Sequence, residues 1–354
     1  MIKLILYPIV SLPDVYRAAW QDIQRTSPEL QHPSLTPEYC EYIDKHTSNV
    51  QVISAQSDGE IVGILPISRL SNTVATEVGA PHTDLSGILR KPGTVFPIKQ
   101  ALSHFGIKSF RFEHVLAEQI EFKNSHAYKD ESSIVDLEFG FDPYVAGLKQ
   151  SKPRFHGQCF RKMRKMAREV GELRFELQTD DAALRERLVL WKTDQLKRKN
   201  YTDMFSHKWV ENAVKHMPDL QTPNCKGRLS VLYAGNNPVA LHLGILGFNC
   251  LTSWIPAHNP KFAKYSPGLI LHLELFRAAA SAGIRKVDLG RGENQLKQAF
   301  RNCSVKVGIG GIELSLHRRI RSRIKYSLRH ALVGENSPML LREFTRRVKK
   351  ISSD

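Results

Sequence analysis

The stretch between residues 228 and 289 does most to limit what this chain can become. Three apolar segments of strand length come first, at residues 228–234, 239–248 and 250–255. Gly235-Asn236-Asn237-Pro238 separates the first two and residues 247–249 separate the last two, so both junctions read as tight turns. A helix then opens at Tyr265-Ser266-Pro267-Gly268 and runs to about residue 282, with Pro267 in its first turn and Gly283 as its stop. Residues 284–289 give a fourth strand. Three antiparallel strands followed by a helix and another strand pack as one mixed sheet with the helix on its face.

The flanks extend the pattern. Residues 173–178 read as a strand, and residues 182–199 and 206–216 as helices, with Asp180 or Asp181 capping the first and Ser206 the second. Residues 293–301 read as a short helix and 305–316 as one or two closing strands. The first half repeats the order. Strand 2–10 leads to helices 14–25 and 37–45. A hairpin of strands 50–56 and 61–68 turns at Asp58-Gly59. Then come strand 74–78, helix 96–105, strand 108–112, a short helix 118–122 and strand 134–137. No residue-level repeat accompanies this order. It predicts an α/β (α+β mixed-sheet) chain of two tandem domains, 1–143 and 173–316. A basic helical linker (144–172), split by Pro153 and Gly157, joins them, and a basic amphipathic helical tail (317–354) follows.

Charge separates the same segments. The net charge is +16. Residues 149–168 carry eight basic and no acidic residues; residues 317–354 carry eleven basic and three acidic. The rest is neutral, so two surfaces face anions. No apolar run reaches the ~18 residues of a membrane span. The first twelve residues are broken by Pro8 and lack a small-residue cleavage site, which argues against a signal peptide. Cys40, Cys159, Cys225, Cys250 and Cys303 are scattered, with no CxxC pair, against a disulfide framework or a cysteine-rich zinc site. These features predict a cytoplasmic protein without a metal, touching the anionic inner membrane only through its basic tail.

The order of elements resembles the GNAT acyltransferase fold, and its repetition resembles the FemABX peptidyltransferases. Residues 235–246 (GNNPVALHLGIL), 254–272 (WIPAHNPKFAKYSPGLILH) and 283–297 (GIRKVDLGRGENQLK) resemble the CelD/BcsL-like acetyltransferase family, which is associated with bacterial cellulose and exopolysaccharide biosynthesis. The resemblance takes in Gly79-Ala80-Pro81 with Asp84, the basic linker and Trp191-Lys192. It implies direct attack by an acceptor amine or hydroxyl on the acyl carbon of acetyl-CoA or another acyl-CoA. A backbone amide in strand 250–255 would polarise the thioester carbonyl.

Such chemistry needs a cradle for the donor's phosphates and a base for the acceptor. The cradle is expected at residues 264–269. There the amides of a helix N-terminus meet an anion, with Lys264, Tyr265, Ser266, Gly268 and Leu269 as donor-binding residues. His242 shares a strand face with the small Ala240 and Gly244, which leaves room for a ligand; a core histidine fits the same pattern. Asp288, at the end of strand 284–289, is placed to orient or deprotonate an acceptor. His242 and Asp288 are the expected catalytic pair, and Asp84, Trp254, Glu293 and Lys297 the expected acceptor ligands. His82 and His258 lie in turns, and Trp191 reads as core.

The resulting expectation is an acyl-CoA-dependent N- or O-acyltransferase acting on a sugar, with a glycan or nucleotide-sugar acceptor. Two alternatives stand beside it. One is a Fem-like aminoacyl-tRNA-dependent transferase whose linker tracks RNA, as the FemABX resemblance implies; no other nucleic acid is expected, because aromatic interleaving is sparse and no helix-turn-helix or RNA-binding motif appears. The other is a non-catalytic scaffold of a polysaccharide synthase.

Overall fold

The computed structural model describes residues 2–292 and 294–315. The expected tail (317–354) and Glu293 lie outside the described residues.

The first half runs β1 (Ile2–Pro8), α1 (Asp14–Thr26), α2 (Pro37–Thr47), β2 (Val50–Ser57), β3 (Glu60–Ser71), β4 (Val74–Thr76), β5 (Leu89–Arg90), α3 (Ile98–His104), β6 (Ser109–Leu116) and β7 (His126–Asp136). Two helices follow, α4 (Phe141–Ser151) and α5 (Pro153–Glu169). The second half runs β8 (Leu173–Glu176), α6 (Ala182–Arg198), α7 (Lys208–His216), β9 (Lys226–Ala234), β10 (Asn237–Gly247), β11 (Cys250–His258), α8 (Pro267–Ser281), β12 (Lys286–Arg291), α9 (Gln295–Phe300) and β13 (Cys303–Glu313).

Local chemistry explains most boundaries. Thr36 caps α2 by accepting from the Tyr39 amide, Pro37 occupies its first position, and Ser48 ends it in the left-handed region. Asp181, rather than Asp180, caps α6 through the Ala183 amide. Several expectations need correction. Gly157 does not split the linker. Pro153 starts α5 and Gly157 continues it, because one interior glycine costs a helix only about 1 kcal/mol, too little to break one of 17 residues. Ser206 does not cap α7, whose first residue is Lys208; Ser206 closes a short 3-10 turn before it. Residues 118–122 hold a single 3-10 turn, Ile120–Phe122. The strand expected at residues 134–137 begins eight residues earlier, at His126. Its first part (HAYKDESS) is too polar to show apolar alternation, yet strands pair along its length.

The strands described form one sheet in the order β1-β2-β3-β4-β6-β13-β7-β12-β11-β10-β9-β8, with β5 on β3. The halves are related by an exchange. β7, the last strand of the first half, lies against β12 of the second. β13, the last strand of the second half, lies against β6 of the first. The two exchanged strands pair with each other, antiparallel, from Cys303↔Ile134 to Gly310↔His126. Each half is thus closed by the other's terminal strand.

Helices cover both faces. On one, α8 buries Leu269, Leu273 and Phe276 against Val239, Leu251 and Val287. On the other, helices of both halves share a core that includes Trp20, Tyr39, Val210 and Leu241. The Tyr42 hydroxyl donates to the Ala213 carbonyl at 2.5 Å, tying α2 to α7. Among the described residues no helix is long and apolar enough to cross a membrane.

An exchanged strand couples the folding of both halves, so the chain is expected to unfold in one cooperative step. Calorimetry should give a ratio of calorimetric to van't Hoff enthalpy of about one. Two resolved transitions would contradict the coupling.

Candidate functional site

The site begins where two parallel strands part. β11 and β12 pair only through Cys250↔Lys286, Leu251↔Val287 and Thr252↔Asp288. Beyond Thr252, β11 remains bound to β10 alone, and a crevice opens at the carboxyl ends of the strands, the usual place for a ligand in an open α/β sheet. Gly244 on β10 lies beside the parting point, where the β10–β11 register shifts; a Cβ there would collide with the Thr252 carbonyl oxygen. A cavity of about 790 Å³ occupies this crevice. Ser253, Trp254 and Leu289 line its strand side, and Ser266, Pro267, Gly268 and Leu269 its helical side.

The first turn of α8 therefore opens on the cavity, with its orphan amides and positive dipole end. A Cβ on Gly268 would meet nothing within 4 Å, so the approach to this turn is clear. Lys192, Lys199 and Lys297 also line the cavity, and no carboxylate does so among the described residues. Burial, with Lys297 and Lys199 nearby, lowers Lys192 to about 8. Its ammonium donates to the Pro256 carbonyl at 3.3 Å.

Two expected donor residues do other work. Tyr265 is buried and donates to Glu169 at 3.1 Å, holding the end of α5 against the lead-in to α8. Lys264 lies over the Tyr265 ring, and its carbonyl accepts from Lys162 at 2.7 Å. Within the basic linker, Lys152 donates to the carbonyls of Gln298, Ala299 and Arg301, so it caps α9 rather than facing an anion.

The first half has the same parting and fills it. β4 and β6 pair through Val74↔Ser109, Ala75↔Phe110 and Thr76↔Arg111. The next residue, Glu77, is buried, and its carboxylate accepts from the Glu113 and His114 amides at 3.1 Å and faces His114 Nδ1 at 3.2 Å. Further along the same loop, Ser86 bonds to the His114 carbonyl and the Leu116 amide, closing the gap as a strand would. The loop between Glu77 and Ser86 includes the cis Ala80-Pro81 bond and points into the second half. Trp254 Nε1 donates to the His82 carbonyl at 2.7 Å, fixing that loop against β11.

This loop brings Asp84 to Asp288. Asp288 is buried; Oδ1 accepts from Ser132 Oγ at 2.6 Å and from the Gly290 amide at 2.7 Å, and Oδ2 stands 3.4 Å from His32 Nε2. Burial works to raise its pKa, but His32, Ser132 and the Gly290 amide outweigh burial and leave it below the usual carboxylate range. Asp84 moves the other way, to about 6, through burial and the neighbouring Asp288 charge. Asp84 Oδ1 and Lys297 Nζ both lie within 3.4 Å of the point a Gly290 Cβ would occupy; Gly290 has φ +78°, so glycine serves that position in two ways. Lys297 itself donates to the Arg291 carbonyl at 2.8 Å and lines the cavity, linking the carboxylates to it. Two carboxylates with opposed shifts are the pattern of an acid–base site.

His242 is placed differently from the expectation. It is fully buried and does not line the cavity. Burial and His272 lower it to about 3, and its Nε2 lies 3.1 Å from Ser253 Oγ. Its route to a ligand runs through Ser253. His258 and Trp254 do reach the cavity. Four residues near the centre, His32, Ser132, Ser253 and His272, were not singled out from the sequence. His32 and Ser132 sit far from Asp288 along the chain, and only the exchange of β7 and the turn before α2 bring them in. His272 did leave a trace, a polar residue one turn after Gly268 in the apolar first half of α8.

Residues 154–298 match the family model of an acetyltransferase (GNAT) domain. Comparison with curated proteins gave no match. Among solved structures, FemX aligns with a TM-score of 0.58 at 9% identity, over 87% of this chain and 98% of that one. L-PGS from Bacillus licheniformis aligns at 0.52 and 13% identity, over 86% and 98%. A tandem GNAT protein from the clavulanic acid biosynthesis pathway aligns at 0.52 and 10% identity, over 89% and 99%. At these identities the shared property is the fold, a mixed α/β sheet of two GNAT-like halves. The matched domain contains most of the residues that line the open crevice, and it supports an acyltransferase.

Asp84 gives the site a pH signature. Between pH 3.8 and about 6 the folded state keeps a proton that the unfolded chain has released, so stability falls as pH rises through that window. Asp84→Asn is expected to remove this fall and to raise stability at pH 7 by about 3 kcal/mol. Urea unfolding of both proteins from pH 3.5 to 7.5 would show it; parallel curves would refute the raised pKa.

Proposed function

We propose that the protein transfers an acyl group from an acyl-CoA, bound in the β11–β12 crevice, to an amine or hydroxyl of a glycan or nucleotide-sugar acceptor. The observation that carries this reading is the convergence, at one parting of the sheet, of the α8 first turn, three lysines and an opposed carboxylate pair. The cavity suits a phosphorylated thioester. Its length of apolar wall accepts the acyl arm, while the helix end and lysines offer donors to phosphate oxygens. The sugar acceptor is inferred from the three segments that resemble the CelD/BcsL-like family.

The chain's own groups divide the work. Asp288, held ionised by Ser132, the Gly290 amide and His32, sets the field at the acceptor end. Asp84 is the base. Its raised pKa keeps it near the range in which a carboxylate accepts a proton and gives it up again. Lys297 stands between the carboxylates and the cavity, where it steadies negative charge on the acyl oxygen. Trp254, locked to the His82 carbonyl, forms the wall between donor and acceptor.

A second reading rests on the exposed basic face of α5, where Arg154, Arg161, Arg164 and Lys165 lie open to solvent beside a cavity that α5 itself helps to line through Phe155 and Gln158. That face suits an RNA-borne donor such as an aminoacyl-tRNA.

Thermal-shift titration with acetyl-CoA, longer acyl-CoAs and free CoA separates these. A ligand at about 100 times its Kd adds ~2.7 kcal/mol of stability. A saturable rise that survives Gly268→Ala and disappears in Gly268→Trp supports the acyl-CoA site. No rise with any CoA species, together with salt-sensitive binding of aminoacyl-tRNA, supports the second reading. With the donor known, Asp84→Asn is expected to lower kcat by about 10²- to 10⁴-fold with little change in donor affinity.

A further inference from the structure

Ser253 occupies an unusual position for a side chain beside an acyl-transfer cavity. It is the first β11 residue beyond the parting from β12, it lines the cavity, and its Oγ lies between two imidazoles. His242 Nε2 is 3.1 Å away and His272 Nε2 is 3.4 Å away. The hydrogen-bond directions are fixed from one end. His272 Nδ1 lies 2.7 Å from the Gly268 carbonyl, which can only accept, so Nδ1 carries the proton and Nε2 is a bare lone pair. Ser253 Oγ then donates to His272 Nε2 and accepts from His242 Nε2–H. That assignment leaves His242 Nδ1 without a proton, and among the described residues this buried atom has no hydrogen-bond partner.

The His272 ring is also held in place. It stacks on Phe300 at 6.1 Å and meets Phe276 at 6.1 Å, and Phe276 and Phe300 pack edge to face. A hydroxyl, an oriented unprotonated imidazole and a carbonyl that sets the tautomer make the arrangement of an activated nucleophile. The same cavity supplies the α8 first turn and lysines for negative charge on an acyl oxygen.

We propose that the acyl group passes through Ser253, whose Oγ takes it from the donor as an ester and surrenders it to the acceptor. This rests on the acyl-transfer reading above, and replaces one direct attack by two. In the first step the Oγ–carbonyl bond forms, the bond from the carbonyl to the leaving group breaks, and the serine proton passes through His272 Nε2 to the leaving sulfur or oxygen. In the second, the acceptor attacks the ester carbonyl, the Oγ–carbonyl bond breaks, and the acceptor's proton passes through His272 Nε2 to Ser253 Oγ. No oxidant, reductant or metal enters either step. Burial, chiefly, lowers His272 to about 4, so its lone pair is available throughout the neutral range.

The test uses p-nitrophenyl acetate, which needs no CoA site. The full-length protein is expected to release about one p-nitrophenolate per chain in a fast phase, and acid quenching should trap one acetyl group on the peptide containing Ser253. Ser253→Ala should lose both signals while unfolding in the same single transition, and Ser253→Cys should keep them. His272→Ala should slow the fast phase by at least about 100-fold, and in the wild type its rate should fall only as pH drops through about 4. A fast phase or label that persists in Ser253→Ala, or no label on Ser253 at all, overturns the proposal. The CoA titration is read separately: CoA binding without a seryl ester returns the chemistry to direct attack, and a seryl ester without CoA binding keeps Ser253 and removes acyl-CoA as the donor.

Discussion

The backbone ladder between β7 and β13 is the constraint from which the rest of the molecule follows. Each of these strands closes the half to which it does not belong, and their mutual pairing fixes the register of one half on the other. Ladder hydrogen bonds in a sheet interior are many and mutually dependent, so this junction does not slide by a residue without turning every side chain to the wrong face. The exchange places Ser132, a first-half residue, at hydrogen-bond distance from Asp288, a second-half residue. The carboxylate pair is therefore assembled across the duplication. Arg291 adds to this seam by facing both Glu113 and Asp130.

The two partings of the sheet show how one architecture yields different chemistry. Both occur after three parallel pairs. In the second half the strands stay apart, and side chains from α6, α8 and α9 line a cavity. In the first half a buried glutamate takes the amides that the parting exposes, and the chain then runs back as a surrogate strand. A carboxylate accepting two backbone amides is a strong and directional plug. The plug also delivers Asp84, so filling one crevice brings a first-half carboxylate to Asp288 of the second half.

Much of the fold was legible in the sequence because it rests on local signals. Apolar segments of strand length, the Asp58-Gly59 turn, the Pro267 helix start and Asp181 as a cap all act within a few residues. The order of elements was enough to show two like halves. The exchange of β7 and β13 was not legible, because nothing in a strand's own sequence names its partner. The polar start of β7 hid even its length. The site was legible in the same uneven way. Asp84 and Asp288 drew notice as polar residues at a turn and a strand end, and the structure brings them together. The alternation that placed His242 on the face of Ala240 and Gly244 was sound, but periodicity reports a face and not a depth. Ser253 and His272 needed the register of β11 against α8, which only the folded molecule supplies.

The filled crevice around Glu77 bears on stoichiometry. Duplication of a binding fold ordinarily doubles the number of berths and invites communication between them. Here, among the described residues, one of the two partings has been taken by the chain itself and the other stays open. With the donor in the open crevice, as proposed, saturation curves are expected to be simple hyperbolas, the filled copy of the fold contributing architecture, not capacity.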